Sequence, residues 1–181
     1  ILIACLLSLR TKDQTTEGAS RRLFTLASDP AGMDALTLSQ IQRAIYPVGF
    51  YRVKAKHIKQ ICRRLLDEHG GYVPPTIEQL LLLPGVGRKT ANLVVTMGFR
   101  KPGICVDIHV HRITNRWGYI SSSAPDQTEQ RLRQTLPRRY WIPFNHLLVS
   151  FGQHICTPVS PKCSQCQISS YCSRVGVTRS R

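Results

Sequence analysis

Apolar residues along this chain recur at three- and four-residue intervals, and the strict alternation of a half-buried strand is rare. After Tyr51, Ile58, Ile61 and Leu65 line one helical face, while Lys56, Lys59 and Arg63 share another that reads as solvated charge. Pro74 and Pro75 interrupt the pattern. Thr76 followed by Gln79 fits a capping box, so a helix is predicted to start there. It should end at Leu83, because Pro84-Gly85-Val86-Gly87 cannot continue it. The next helix is predicted to run from Arg88 to Gly98, with Ala91, Val94 and Val95 on one side. Pro125 and Asp126 open another over 127–136. Pro143 opens the last long one, where Phe144, Leu147, Leu148 and Phe151 repeat at i, i+3, i+4 and i+7. The predicted fold class is all-α, with a compositional change near Lys101-Pro102-Gly103.

The opening ILIACLLSL reads as a core helix. It is too short for a membrane anchor, and it has no preceding basic segment that would make it a signal peptide. It begins without Met in mid-pattern, which reads as a piece of a longer protein whose earlier helices would complete its packing. No apolar run approaches the roughly 20 residues needed to span a bilayer.

Composition narrows the function. The chain has 181 residues, 42% hydrophobic and 19% charged, a globular rather than a disordered balance. Lys and Arg number 25 against 10 Asp and Glu, a formal charge of +15. That excess calls for an acidic partner, and nucleic acid is the usual one.

The segment Leu83-Pro84-Gly85-Val86-Gly87-Arg88-Lys89-Thr90-Ala91 lies between two predicted helices. Its glycines allow a tight turn and the close approach of another backbone. The second helix presents its first N–H groups there, a ready site for a phosphate. This is a helix-hairpin-helix element, which grips a DNA backbone without reading sequence. A Lys in the first turn of a helix faces the wrong end of the dipole, and that field favours the neutral, nucleophilic amine. Lys89 is therefore a candidate Schiff-base former, with a solvated phosphate-binding Lys as the alternative. Asp107 precedes an apolar-periodic run, so it reads as a helix N-cap, as a carboxylate facing the cleft, or as both. His109 and His111 are two apart, the wrong spacing for a shared metal face on a helix.

Seven cysteines are present. Cys5, Cys62 and Cys105 sit among apolar neighbours and read as inert core. Cys156, Cys163, Cys166 and Cys172 are spaced C-x6-C-x2-C-x5-C, which implies a tetrahedral sulfur site for zinc or an iron–sulfur cluster. A zinc ribbon usually pairs two C-x2-C knuckles, and here there is one. Pro158 and Pro161 stiffen the loop between the first two cysteines, and Lys162 offers it a cation for a phosphate.

LPGVGRKTAN at 83–92, VDIHVHR at 106–112 and the closing cysteine spacing occur in this order, and together they resemble the endonuclease III family of helix-hairpin-helix DNA glycosylases. The resemblance covers essentially the whole chain. It implies a six-helix barrel lobe over 1–101 and a helical lobe over 102–181 that ends in a 4Fe–4S cluster loop, flanking a DNA-binding cleft. The family's N-terminal helix is absent from this chain. By the same resemblance Lys89 attacks C1′ of the damaged nucleotide and Asp107 assists. Cys156, Cys163, Cys166 and Cys172 hold the cluster. DNA is contacted by Gly85, Val86, Gly87, Arg88, Thr90, His109 and Lys162. Arg10 stands where the family often has the Gln that fills the gap left by the flipped base, and Phe50 stands where its apolar wedge is often Leu. The implied activity is that of a bifunctional base-excision glycosylase and AP lyase. It would act as a monomer on double-stranded DNA carrying an oxidised or ring-saturated pyrimidine or an abasic site, with no membrane partner, in a prokaryotic cytoplasm with the nucleoid. Two relatives on similar scaffolds are set aside. The mismatch adenine glycosylase needs a catalytic Glu in the first helix, and residues 1–12 contain no acid. A non-catalytic DNA-binding iron–sulfur protein would have little use for both Lys89 and Asp107.

Overall fold

A computed structural model describes residues 1–181. It contains ten α-helices and no strands, and it divides into two compact units, Ile1–Arg100 and Lys101–Arg181.

The first unit holds α1 (Leu2–Ser8), α2 (Asp13–Leu26), α3 (Pro30–Ala35), α4 (Leu38–Ile45), α5 (Tyr51–His69), α6 (Ile77–Leu81) and α7 (Arg88–Phe99). The short helices begin where capping chemistry is available. Asp29 Oδ1 accepts the Gly32 N–H at 2.8 Å ahead of α3, and Pro30 occupies the first helical position. Thr37 and Gln40 form a complete, reciprocal capping box at α4. At α6 the box is one-sided: Thr76 Oγ1 accepts from the Gln79 N–H at 3.4 Å and donates to the Gln79 side chain at 2.9 Å. That helix stops at Leu81, two residues before the expected end.

The long α5 is the spine of this unit. Ala55, Ile58, Ile61, Cys62 and Leu65 are buried along one stripe, each large side chain contributing roughly 1.5–3 kcal/mol of burial. Its polar face is only partly solvated. Lys59 and Arg63 pair with Asp34 of α3 at 3.6 and 3.1 Å, and Lys59 also donates to the carbonyls of Asp34 and Leu36. The apolar opening of the chain finds partners within this unit: α1 buries five of its seven residues and packs on α2, α5 and α7.

Lys54 departs from its charged neighbours on α5. It is 5% exposed, and no carboxylate pairs with it. Burial lowers its pKa from 10.5 to about 8. The unfolded chain therefore binds more protons than the folded one between those values, so the residue makes stability rise with pH across that window. Wild type is expected to gain stability relative to Lys54→Met between pH 8 and 10.5, as measured by denaturant unfolding of both proteins across the range. Parallel pH profiles would contradict this.

The second unit holds α8 (Ile108–Arg116), α9 (Pro125–Thr135) and α10 (Trp141–His154) around Ile104, Val106, Val110, Ile113, Ile120, Leu132 and Leu148. Helix α9 starts at Pro125 itself rather than at 127, since a first-turn proline gives up only an N–H that has no helical acceptor. For the same reason Pro143 lies inside the first turn of α10, which begins at Trp141 after a 3-10 turn at Arg138–Tyr140. Leu148, Phe144 and Phe151 meet the core, whereas Leu147 is exposed.

Candidate functional site

In the first unit, α6 and α7 are joined by the turn Leu82–Gly87. Val86 is buried and donates its N–H to Leu83 O at 3.2 Å, which anchors the turn from beneath. Gly85 is exposed with φ +76, and a Cβ there would strike the His57 ring of α5. Two independent constraints therefore demand glycine at this position. Gly87 needs no such excuse in its backbone, but a Cβ there would meet nothing within 4 Å, so the approach to the start of α7 is open. The first helical bond of α7 runs from the Ala91 N–H to Gly87 O. The amides of Arg88, Lys89 and Thr90 precede it, at the positive end of the helix. Lys89 is exposed and Arg88 half-buried, while the Thr90 side chain is buried, so Thr90 offers a ligand its backbone only.

Arg10 and Phe50 are brought together. Both are exposed and both have left-handed backbone, at φ 52 and 58, which is uncommon for bulky residues. The Arg10 guanidinium lies over the Phe50 ring, 5.5 Å from its centroid. Lys54, Thr11 and Gly49 support the pair, and no pattern in the sequence singles them out. Gly49 directly before Phe50 at a helix start is the nearest thing to a signal.

In the second unit, Asp107 caps α8. Its Oδ1 accepts the N–H groups of His109 and Val110, each at 2.9 Å, which leaves Oδ2 outside the cap. His109 and His111 point to different partners. His109 Nδ1 lies 3.1 Å from the Arg112 guanidinium. His111 Nδ1 meets Thr128 Oγ1 at 2.7 Å. Arg112 also donates to Gly152 O and Cys156 O, and desolvation by burial lowers its pKa. Lys89 belongs to the first unit and Asp107 to the second.

None of the seven cysteines forms a disulfide. Cys156, Cys163, Cys166 and Cys172 line one pocket, together with Arg116, Trp117, Phe151 and Lys162. No three His, Cys, Asp or Glu side chains gather closely enough to hold a single metal ion. Four cysteine side chains around one pocket are a donor set that fits an iron–sulfur cluster. Donors also reach two of the sulfur atoms. Arg116 Nη1 donates to Cys156 Sγ at 3.5 Å, and the Arg174 N–H donates to Cys172 Sγ at 3.4 Å. Arg112 and Arg116, one turn apart on α8, both reach the cysteine loop, a spacing visible in the sequence though it had not marked them out. Between residues 156 and 181 only Pro161 is buried, so the segment lacks a core of its own side chains.

Residues 3–138 match the HhH-GPD superfamily of base excision DNA repair proteins, and residues 156–172 match the iron–sulfur binding domain of endonuclease III. The endonuclease III of Thermotoga maritima is 44% identical over 95% of this chain and 81% of its own length. The chain belongs to the endonuclease III family. Its cofactor is the family's 4Fe–4S cluster. The chloroplastic endonuclease III homolog 1 of Arabidopsis thaliana is 42% identical over 95% of this chain, which spans 48% of that longer relative. A solved endonuclease III, trapped as a covalent intermediate with DNA, superposes with a TM-score of 0.89 at 35% identity, over 96% of this chain and 82% of that one. No helix is long and apolar enough to cross a membrane.

Proposed function

We propose that this member of the endonuclease III family is a bifunctional DNA N-glycosylase and AP lyase that removes oxidised or ring-saturated pyrimidines, and that Lys89 is its nucleophile. The observation that carries the reading is an exposed primary amine in the first turn of α7, directly after a glycine turn open to a close-packed ligand. A phosphate gripped by the first amides of α7 would hold the neighbouring sugar within reach of that amine. Lys89 Nζ attacks C1′, the glycosidic bond breaks, and the base leaves with the bonding pair and takes up a proton. Loss of the amine protons and cleavage of the C1′–O4′ bond, with O4′ taking up a proton, then open the sugar to an imine between C1′ and Nζ. This acidifies the C2′ proton, whose removal expels the 3′ oxygen with its phosphate and nicks the strand. Asp107 serves through Oδ2, stabilising positive charge on the sugar while Oδ1 holds the start of α8. Cys156, Cys163, Cys166 and Cys172 ligate the cluster, which when bound supplies the interior contacts that the 156–181 segment lacks. Lys162, half-buried beside Cys163, and His109 lend the second unit its contacts to the strand. The enzyme works as a monomer with the nucleoid of a prokaryotic cell.

The lesion has to be flipped out of the stack, and Arg10 with Phe50 fills the space it leaves. Phe50 wedges between base pairs, and Arg10 donates to the orphaned base, for which guanine, with acceptors at O6 and N7, is the best match. Duplexes that each carry one defined lesion, incubated with and without borohydride, test the activity and its substrate class. Turnover is expected to be faster opposite guanine than opposite adenine, and Arg10→Gln should erase the difference. If Arg10→Gln instead slows cleavage equally opposite all four bases and lowers the salt slope by about one, Arg10 is a phosphate contact.

A further inference from the structure

The turn after α1 and the turn before α5 carry Arg10 and Phe50 at their tips, both in left-handed backbone. Such backbone at bulky residues persists where the surroundings over-determine it. The determinants lie directly beneath. Lys54 Nζ donates to Leu7 O at 2.8 Å, to Leu9 O, and to Thr11 Oγ1 at 3.3 Å. Thr11 Oγ1 donates to Leu9 O at 3.2 Å and accepts the Gly49 N–H at 3.1 Å. An ammonium has three donors, and a hydroxyl has one donor and two lone pairs, so every group in this set is used. Gly49 makes the contact close: a Cβ there would sit 2.5 Å from Arg10 O, so the two turns meet backbone to backbone.

The network ties the end of α1 and the turn after it to the turn before α5. Lys54 leaves from the first turn of α5, crosses to the C-terminal carbonyls of α1, and meets through Thr11 the residue that precedes Phe50. Its ammonium is buried without a carboxylate, an expensive arrangement when stability alone is at stake. We propose that Lys54 is a positioning residue that locks the Arg10 turn to the Phe50 turn, so that both side chains enter the base stack as one rigid two-pronged wedge. The proposal rests on the reading of Arg10 and Phe50 as the pair that fills the space left by the flipped nucleotide. Lys54 itself touches no DNA. Its effect is confined to lesions that must be extracted from a paired stack.

A damaged base in a mismatched bubble is already unstacked, so its excision does not need the wedge. Single-turnover excision of one dihydrouracil, at saturating enzyme, is compared in a duplex and in a bubble of the same sequence. Lys54→Met is expected to lower the duplex-to-bubble rate ratio by about tenfold or more, as loss of positioning does. Gly49→Ala, which forces the turns apart with Lys54 intact, should move the ratio the same way. Lys54→Met added to the double variant Arg10→Ala/Phe50→Ala should lower the ratio no further, because Lys54 acts only through those two side chains. If Lys54→Met does not fold, Gly49→Ala and Thr11→Val answer the same question. The proposal is overturned if Lys54→Met and Gly49→Ala slow both substrates equally or leave the ratio unchanged, while Arg10→Ala and Phe50→Ala lower it. If Arg10→Ala and Phe50→Ala leave the ratio unchanged, the wedge reading itself fails and takes the role of Lys54 with it.

Discussion

Lys89→Gln is expected to abolish borohydride trapping on abasic DNA and to slow strand nicking by about 10⁴-fold or more, the scale seen when a covalent nucleophile is removed. Glutamine is close to lysine in reach but has no amine, so no imine can form and no acid C2′ proton is generated. Binding should survive, because the backbone of the Gly87–Thr90 turn still meets the phosphate and Val86 still anchors it. Lys89→Arg sharpens the test. It keeps the positive charge and the electrostatic part of binding, yet its guanidinium is not a nucleophile at any working pH. Both variants should therefore bind an abasic duplex and fail to cross-link to it. Nicking and cross-linking by Lys89→Gln at the wild-type rate would remove Lys89 from the mechanism.

The second large effect is expected at the cysteines. Cys163→Ser should cost the protein its iron and its brown colour, and it should open the 156–181 segment to protease at a rate at least about tenfold above wild type. The segment has one buried side chain, Pro161, and is otherwise held by hydrogen bonds such as Ser164 N–H to Arg181 O, Arg181 N–H to Pro161 O and Arg116 Nη1 to Thr157 O. Hydrogen bonds of this kind do not hold a segment once the group they surround is gone. The first unit has its own core around α5, so its unfolding transition should be nearly unchanged. A purified protein with stoichiometric zinc and no iron would contradict the assignment, as would a Cys163→Ser variant that kept its iron.

The parts of this protein that were legible in its sequence are those fixed by local chemistry. The stripe Ile58, Ile61, Leu65 announces α5, and all three are buried. The glycines of the 83–91 turn announce a hairpin, because few other residues could make it. The cysteine spacing announces a sulfur site, although zinc and iron–sulfur separate only with the family match. Features set by distant contacts were not legible. Lys54, Lys56 and Lys59 look alike in the sequence, yet one is buried under α1, one faces water and one pairs with Asp34. The helix boundaries at Leu81 and Trp141 depend on tertiary packing and shift by two residues from the expected ones. Thr37 with Gln40 carried the same capping signal as Thr76 with Gln79, and the structure completes it only at α4.

The contact between Gly85 and the His57 ring bears on how far the hairpin can be treated as a module. Its turn rests on a side chain more than twenty-five residues earlier in the chain, and Val86 is pinned in a core built mainly by other helices. A peptide spanning 77–99 would keep the glycines and lose the floor beneath them. Grafted onto a foreign helical pair, the same ten letters would specify a flexible bend. The motif is thus a piece of surface belonging to α5, and any attempt to transplant DNA affinity with it must carry that helix along.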